Sequence, residues 1–508
     1  MKKEKLKTAK KSQTILFLII MTCIILISLI VIYAKSNIDS TQEFKVSECN
    51  NCNVILISLD VLRADHMSLY GYNLNTTPNM NKLAKKSLVF NQMYANGYFT
   101  LPNHMSLMTG VYPLTHKINW PGQDDVILSP KIRTLTEILK ENNYNTIWVG
   151  ESNDSFLGFN RGMERGFKEF HRPLLTKSNK LLTESNVDKN LNNLSSILRI
   201  NHDNKFFLSI HTYINHYPYF YPEPFNSHFT QQNISSIPAS YGEQRFETWK
   251  RLKDAYENNI TLDKRHDIRN LSFFVGSKFK DKFIHSFENN NYSEIKNENI
   301  ILVREAFFEL MHNVSNKGIL EIRQLYDNGV YYADYVVGRI FDDLKQQGLL
   351  NNTIIIITSD HGEGLYEHGE LGHDNFYDYN IHIPLIIYLP GLKNGIRIDK
   401  MTQSVDIMPT LLQILNISTP TQVQGKNILE KKNVNDYVYG YSLKQYYVKN
   451  NDWKLIINFD NEEELYNLIN DPEEQVNLVD NKDKKIEEVK EKLENELLKW
   501  KIKQNIVE

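Results

Sequence analysis

Apolar and polar positions along the chain fall into two rhythms. One is the near-continuous apolar run of strand length: "NVILISL" from Asn53 to Leu59, "NTIWVG" ending at Gly150, "KFFLSIH" at His211, "TIIIITS" at Ser359 and "PLIIYLP" at Pro390. Strands covered on both faces of a parallel sheet read this way. The other rhythm is helical, as in "TTPNMNKLAKKS" (76–87) and "YYADYVVGRIFDDLKQQGLL" (331–350). Their alternation predicts an α/β sandwich around a mostly parallel central sheet. Ligands of such sheets gather beyond the carboxyl ends of the strands, so the polar residues just after the runs are the first candidates for chemistry.

Three stretches break the alternation. Residues 15–34, "ILFLIIMTCIILISLIVIYA", carry no charge and follow a tail, 1–14, whose first eleven residues hold six lysines. As a helix that run would cross a hydrocarbon core of about 30 Å, with the lysine-rich side left in the cytoplasm. A cleaved signal peptide competes with this, but its apolar region would be only ~7–15 residues. We expect a single transmembrane anchor, a linker over 35–52 and a catalytic domain over 53–430 outside the cell membrane. Residues of about 223–320, with "ENNNYSEIKNENI" (288–300), read as a helical insertion in that domain. From 431 to 508 a hairpin pattern, "WKLIINFDNEEELYNL", and a charged helix, "KDKKIEEVKEKLENELLKWKIK", predict a small α+β subdomain.

Composition changes the picture little. A net charge of −3 over 508 residues argues against a nucleic-acid partner. Of the three cysteines, Cys23 lies in the apolar run, whereas Cys49 and Cys52 form "CNNC" before the first strand. Outside the cytoplasm that pair is open to a local disulfide; two ordinary thiols near a linker are the other reading.

The strand ends carry a coherent set: Asp60 after the first run, Asp360 and His361 after "TIIIITS", and Thr100 before "LPNHMSLMTG". Two carboxylates, an imidazole and a hydroxyl can surround one divalent cation, which would favour the threonine alkoxide as nucleophile. A histidine among oxygens favours manganese or zinc; calcium and magnesium are the alternatives. Pro102 and Gly110 bracket a helix with Thr100 at or just before its N-cap, so a plain capping role competes. His216 and His373 are placed to bind an anionic oxygen or protonate a leaving group, and His104, one turn beyond Thr100, to meet the same anion or only to pack. His211 lies in the same "IHTYINHYPYF" segment.

With these residues in view, the chain resembles the sulfatase family of the alkaline phosphatase superfamily. The matching stretches, in family order, are 53–72, 76–96, 100–113, 158–170, 351–373, 381–391, 404–415 and 464–478. The resemblance implies an alkaline phosphatase-like fold. It departs from the sulfatase pattern at the Cys/Ser-x-Pro-x-Arg motif, whose first residue becomes formylglycine. Thr100 and His104 hold the ends of that motif here, and threonine cannot yield the aldehyde. Val61 stands where sulfatases often carry a second acidic ligand, and His361 where they carry asparagine. The set Asp60, Thr100, Asp360 and His361 is similar instead to lipoteichoic acid synthases and lipid A phosphoethanolamine transferases, whose metal-bound threonine is transiently phosphorylated. Nucleotide pyrophosphatases share the threonine but use a second metal site; one metal is expected here. The implied function is hydrolysis or transfer of a phosphoester group on an envelope lipid or glycan. A sulfate-ester hydrolase without formylglycine and a catalytically silent glycan- or lipid-binding member are the alternatives.

Overall fold

The computed structural model describes residues 48–504 apart from 120–125, 151–156, 172–183, 202–203, 217–218, 220, 223, 231–315, 370, 444 and 460–461. The expected anchor, 15–34, and almost all of the expected insertion lie outside the described residues. Among those described, no helix is long and apolar enough to cross a membrane.

In chain order the strands of the larger half are β1 (Asn53–Leu59), β2 (Ser87–Tyr94), β3 (Asn145–Val149), β4 (Glu169–His171), β5 (Phe206–Thr212) and β6 (Thr353–Thr358). They continue with β7 (Gly364–Leu365), β8 (Leu371–Gly372), β9 (His382–Tyr388), β10 (Ile396–Ile398) and β11 (Thr402–Gln403). The main sheet runs β10-β2-β9-β6-β1-β5-β3-β4, with β11 also on β2, while β7 and β8 make a separate ribbon. β1 lies between β5 and β6, parallel to both, and every residue of these three strands is buried. Each apolar run thus has a layer above and below to receive it.

The sheet is mostly parallel, as expected, with one antiparallel strand. β9, the "PLIIYLP" run, is antiparallel to both β6 and β2, so its carboxyl end lies away from those of β1 and β6. An apolar run buried on both faces looks alike in either direction. A long helix, Asn316–Gln346, covers one face through Tyr326, Val330, Ala333, Val337 and Ile340. It begins inside the span assigned to the insertion.

A second, antiparallel sheet of β12 (Val438–Ser442), β13 (Gln445–Lys449), β14 (Trp453–Asn458) and β15 (Glu463–Asn467) forms the C-terminal part. The terminal helix, Lys484–Gln504, packs on it through Leu493, Leu497 and Trp500, so its charged pattern is the outer side of an amphipathic helix. Cys49 and Cys52 are joined by a disulfide just before β1, their Cα atoms 5.4 Å apart.

Candidate active site

The carboxyl ends of β1 and β6 lie side by side, and one hydroxyl stitches them together. Ser359 Oγ donates to Leu59 O at 2.7 Å and accepts from Leu62 N at 2.9 Å. Asp360 Oδ1 accepts from its neighbour's backbone, His361 N, at 3.0 Å and from Val61 N at 3.3 Å. That leaves Oδ2, a buried oxygen that accepts no hydrogen bond. On the other side of β1, Asp60 N donates to Thr212 O at 3.1 Å. Backbone N–H groups thus hold the Asp360 carboxylate, and a backbone bond fixes the main chain at Asp60.

Val61, the residue after Asp60, has φ 52. For a β-branched side chain this is a strained conformation, of the kind that costs about 1–3 kcal/mol and persists only when its surroundings over-determine it. Tyr326, on the long helix, supplies that clamp: its hydroxyl donates to Val61 O at 2.6 Å and accepts from Arg63 N at 2.9 Å. Arg63 itself is engaged by Asp65 and Glu367, each at 2.6 Å, and by the Glu363 carbonyl at 2.9 Å. These partners make it an anchor of the turn.

His361 Nδ1 donates to Gly362 O at 2.9 Å, which leaves the Nε2 lone pair directed into the site. Around it stand Thr100 Oγ1 at 3.2 Å, Asp360 Oδ2 at 3.5 Å and Asp60 Oδ1 at 3.7 Å. Burial pushes the His361 imidazole down to about 4, with Asp360 opposing and His373 and His104 adding to the effect. Burial alone would raise the Asp360 carboxyl, but the imidazoles of His361, His104 and His211 hold it well below the usual range. Gly362 is required at its place, since a Cβ there would strike the Tyr379 carbonyl.

Ligand atoms of Asp60, Asp360 and His361 lie within 4.8 Å of one another, all buried. Three lone-pair donors turned toward one point, one of them an oxygen without a donor, fit a divalent cation better than they fit each other. Thr100 Oγ1 is placed as a fourth ligand. Asp378 and His382, four residues apart near the site, are engaged elsewhere. Lys449 and Lys454 hold the Asp378 carboxylate at 2.7 and 2.5 Å, and His382 Nε2 lies 3.0 Å from Asn91 O.

Thr100 is the first residue of a wholly buried helix, Thr100–Thr109, capped by Phe99. The expectation placed Thr100 at or before the N-cap because Pro102 was read as opening the helix. Proline is tolerated as the third residue of the helix, since first-turn N–H groups have no intrahelical partner to lose. His104 Nδ1 donates back to Thr100 O at 3.1 Å and lies 3.9 Å from Asp360 Oδ2. His373 Nδ1 donates to Tyr98 O at 3.1 Å, and its ring centre is 4.3 Å from that of His361. His216 follows, 5.7 Å from His373 ring to ring. The structure thus brings Thr100, His104, His216 and His373 around the Asp60–Asp360–His361 cluster. It adds His211, whose ring centre is 4.6 Å from that of His104. The sequence placed it in the same segment as His216 but assigned it no role. Tyr326 and Ser359 had no sequence signal, since each acts through backbone atoms far along the chain.

A mixed sheet with acids and a helix-borne hydroxyl gathered past β1 and β6 is the architecture of the alkaline phosphatase superfamily. The sequence model of the sulfatase family matches residues 52–417, and that of the N-sulphoglucosamine sulphohydrolase C-terminal region matches 366–503. The arylsulfatase of Clostridium perfringens is 24% identical over 455 residues, spanning 83% of this chain and 89% of that one. The N-acetylglucosamine-6-O-sulfatase of Bacteroides thetaiotaomicron is 25% identical, spanning 84% and 82%. Among solved structures, the phosphonate monoester hydrolase of Agrobacterium radiobacter superposes with a TM-score of 0.64 at 18% identity, covering 89% of this chain and 96% of that one. The chain belongs to the sulfatase family, and it is an enzyme.

Proposed function

We propose that this enzyme hydrolyses or transfers a phosphoester group, with Thr100 as the covalent nucleophile, at a site holding one divalent metal ion. The observation that carries this reading is the 3.2 Å approach of Thr100 Oγ1 to His361 Nε2 inside the Asp60, Asp360 and His361 cluster. A cation held by those three residues and Thr100 supplies positive charge, which lowers the hydroxyl's pKa and offsets charge on the transferred group. The imidazole among the oxygens favours manganese or zinc.

Thr100 Oγ, its proton released beforehand to solvent, forms a bond to phosphorus as the bond from phosphorus to the leaving oxygen breaks. The leaving oxygen takes a proton from His373, whose Nδ1–H is engaged by Tyr98 O and whose Nε2 remains for exchange. His216 binds a peripheral oxygen of the group. Water, or an acceptor hydroxyl, then gives its proton to the same histidine, bonds to phosphorus and releases Thr100. Ping-pong kinetics follow from the covalent step.

The apolar run 15–34 with its lysine-rich flank supports a single-pass anchor with the catalytic domain outside the cell membrane. The Cys49–Cys52 disulfide, suited to an oxidising compartment, supports the same placement. An anchored site and a relative named as an N-acetylglucosamine sulfatase favour an envelope glycan or lipid as substrate. Sulfate-ester hydrolysis is the second reading, favoured by the sulfatase relatives.

Intact-mass measurement after incubation with manganese and a panel of phosphate and sulfate esters tests the proposal. A phosphoryl adduct in wild type that Thr100→Ala lacks, with turnover falling in the variant, is expected. Undiminished turnover by Thr100→Ala would sink it, and a sulfuryl adduct would move the substrate to the second reading.

A further inference from the structure

His211, beside His104, is a histidine around the site for which the chemistry above has no use. It sits at the end of β5, in register with Ser58 on β1, and so on the sheet face that Asp60 continues two residues later. Its side chain is 1% exposed, and neither ring nitrogen has a hydrogen-bond partner. Ring contacts enclose it: His104 edge-on at 4.6 Å, Tyr213 at 4.8 Å and Trp148 at 6.4 Å. A buried imidazole with two unmet polar atoms is unfavourable unless something completes it, and native folds seldom leave such groups idle.

A metal does not fit that role. Among the described residues, Asp60, Asp360 and His361 are the single group of three whose ligand atoms converge, and His211 is outside it. A tetrahedral oxyanion does fit. With one or two of its peripheral oxygens turned to the cluster, another needs a donor on the far side. At the position where sulfatases carry an arginine, this chain has His104, whose Nδ1–H is already given to Thr100 O.

We propose that His211 is a substrate-binding residue that donates a ring N–H to a peripheral oxygen of the group being passed to Thr100. His104, edge-on against it, fixes the ring's rotation and acts as a positioning residue. The proposal rests on the reading of Thr100 as nucleophile for its place in the reaction, but its test does not depend on turnover.

The probe is tungstate, a tetrahedral oxyanion, titrated calorimetrically into the manganese-loaded full chain. His211→Phe keeps the ring and its packing and removes the N–H. It should weaken tungstate about ten- to a hundredfold, with manganese affinity unchanged. His211→Gln, which keeps a donor, should fall less. Wild-type tungstate affinity in His211→Phe overturns the proposal, as does an equal loss of manganese, which would make the role structural. If His211→Phe fails to fold, histidine-labelled wild type decides: tungstate should shift a ring ¹⁵N resonance that His211→Gln lacks, and an unshifted resonance overturns it. Failure of the Thr100 reading shows separately, as undiminished turnover by Thr100→Ala.

Discussion

Substituting His116 by asparagine asks whether the imidazole behind the Thr100 helix is held neutral by its setting. His116 is buried, and its Nδ1 accepts from Ile118 N at 3.0 Å. The ring proton therefore sits on Nε2, which lies 3.2 Å from both Pro102 O and Ser106 Oγ on that helix. A second proton has to displace the Ile118 N–H, and burial pushes the imidazole from 6.5 down to about 3, the Pro102 carbonyl opposing. The unfolded chain binds a proton below about 6.5 while the folded chain waits until near 3, so stability falls as pH drops through that interval. One pH unit is worth about 1.4 kcal/mol, so by about pH 5 the fold has lost roughly 2 kcal/mol on this account. Asp334 and Asp406, which burial raises to about 6, work in the opposite sense, and the wild-type curve alone therefore mixes the two. The difference between proteins separates them. His116→Asn retains an acceptor near the place of Nδ1 and does not titrate. It should be less stable near pH 8 by roughly 1–3 kcal/mol, and the gap to wild type should shrink by roughly 2 kcal/mol by about pH 5. Urea unfolding followed by tryptophan fluorescence at both pH values measures that gap. An equal gap at the two values would refute the reasoning.

Two further substitutions probe what aims the site. Tyr326→Phe leaves Val61 O and Arg63 N without their shared partner; it should cost roughly 1–3 kcal/mol in urea unfolding and weaken manganese binding by calorimetry, because Asp60 loses its fixed turn. Lys454→Met removes a fully buried cation that reaches Asp378 and Glu474, each at 2.5 Å, and Phe376 O at 2.9 Å. Glu474 is then buried without a cation while Asp378 keeps Lys449, so the melting temperature should drop steeply, by the equivalent of about 3–5 kcal/mol, and should recover in part when Glu474→Gln is added.

What was legible in the sequence followed from local rules. Runs such as "NVILISL" and "TIIIIT" marked β1 and β6, and the residues just past them are those the structure gathers. Whatever depended on distant partners was not legible. β9 gave no sign of its direction, because burial on both faces erases the alternation that would reveal a register. Pro102 misplaced the start of the Thr100 helix, because proline is as welcome within the first turn as at its opening. His211 was grouped with His216 but given no role, because its neighbours in the strand are apolar. Its unmet nitrogens emerge only when His104, over a hundred residues earlier, is set against it. Val61 gave no hint of its positive φ, since the tyrosine that holds it is supplied by a helix on the far side of the long excursion.

The Lys454 cluster also bears on when the enzyme can first work during its own synthesis. The segment between His373 and Asp378 is held at Phe376 and Asp378 by Lys454, at Asp378 by Lys449 and through the Asp378 N–H by Glu474 at 2.6 Å. All three anchors come from sequence well downstream of the segment they hold. Asp60, Thr100 and His361 are made long before, yet His373 is expected to find its place only once residues 449–474 have emerged and paired. On the proposed chemistry, a chain without that downstream segment would keep Thr100 but lack a fixed His373. Folding of the C-terminal sheet thus acts as a late step in ordering the proposed catalytic centre.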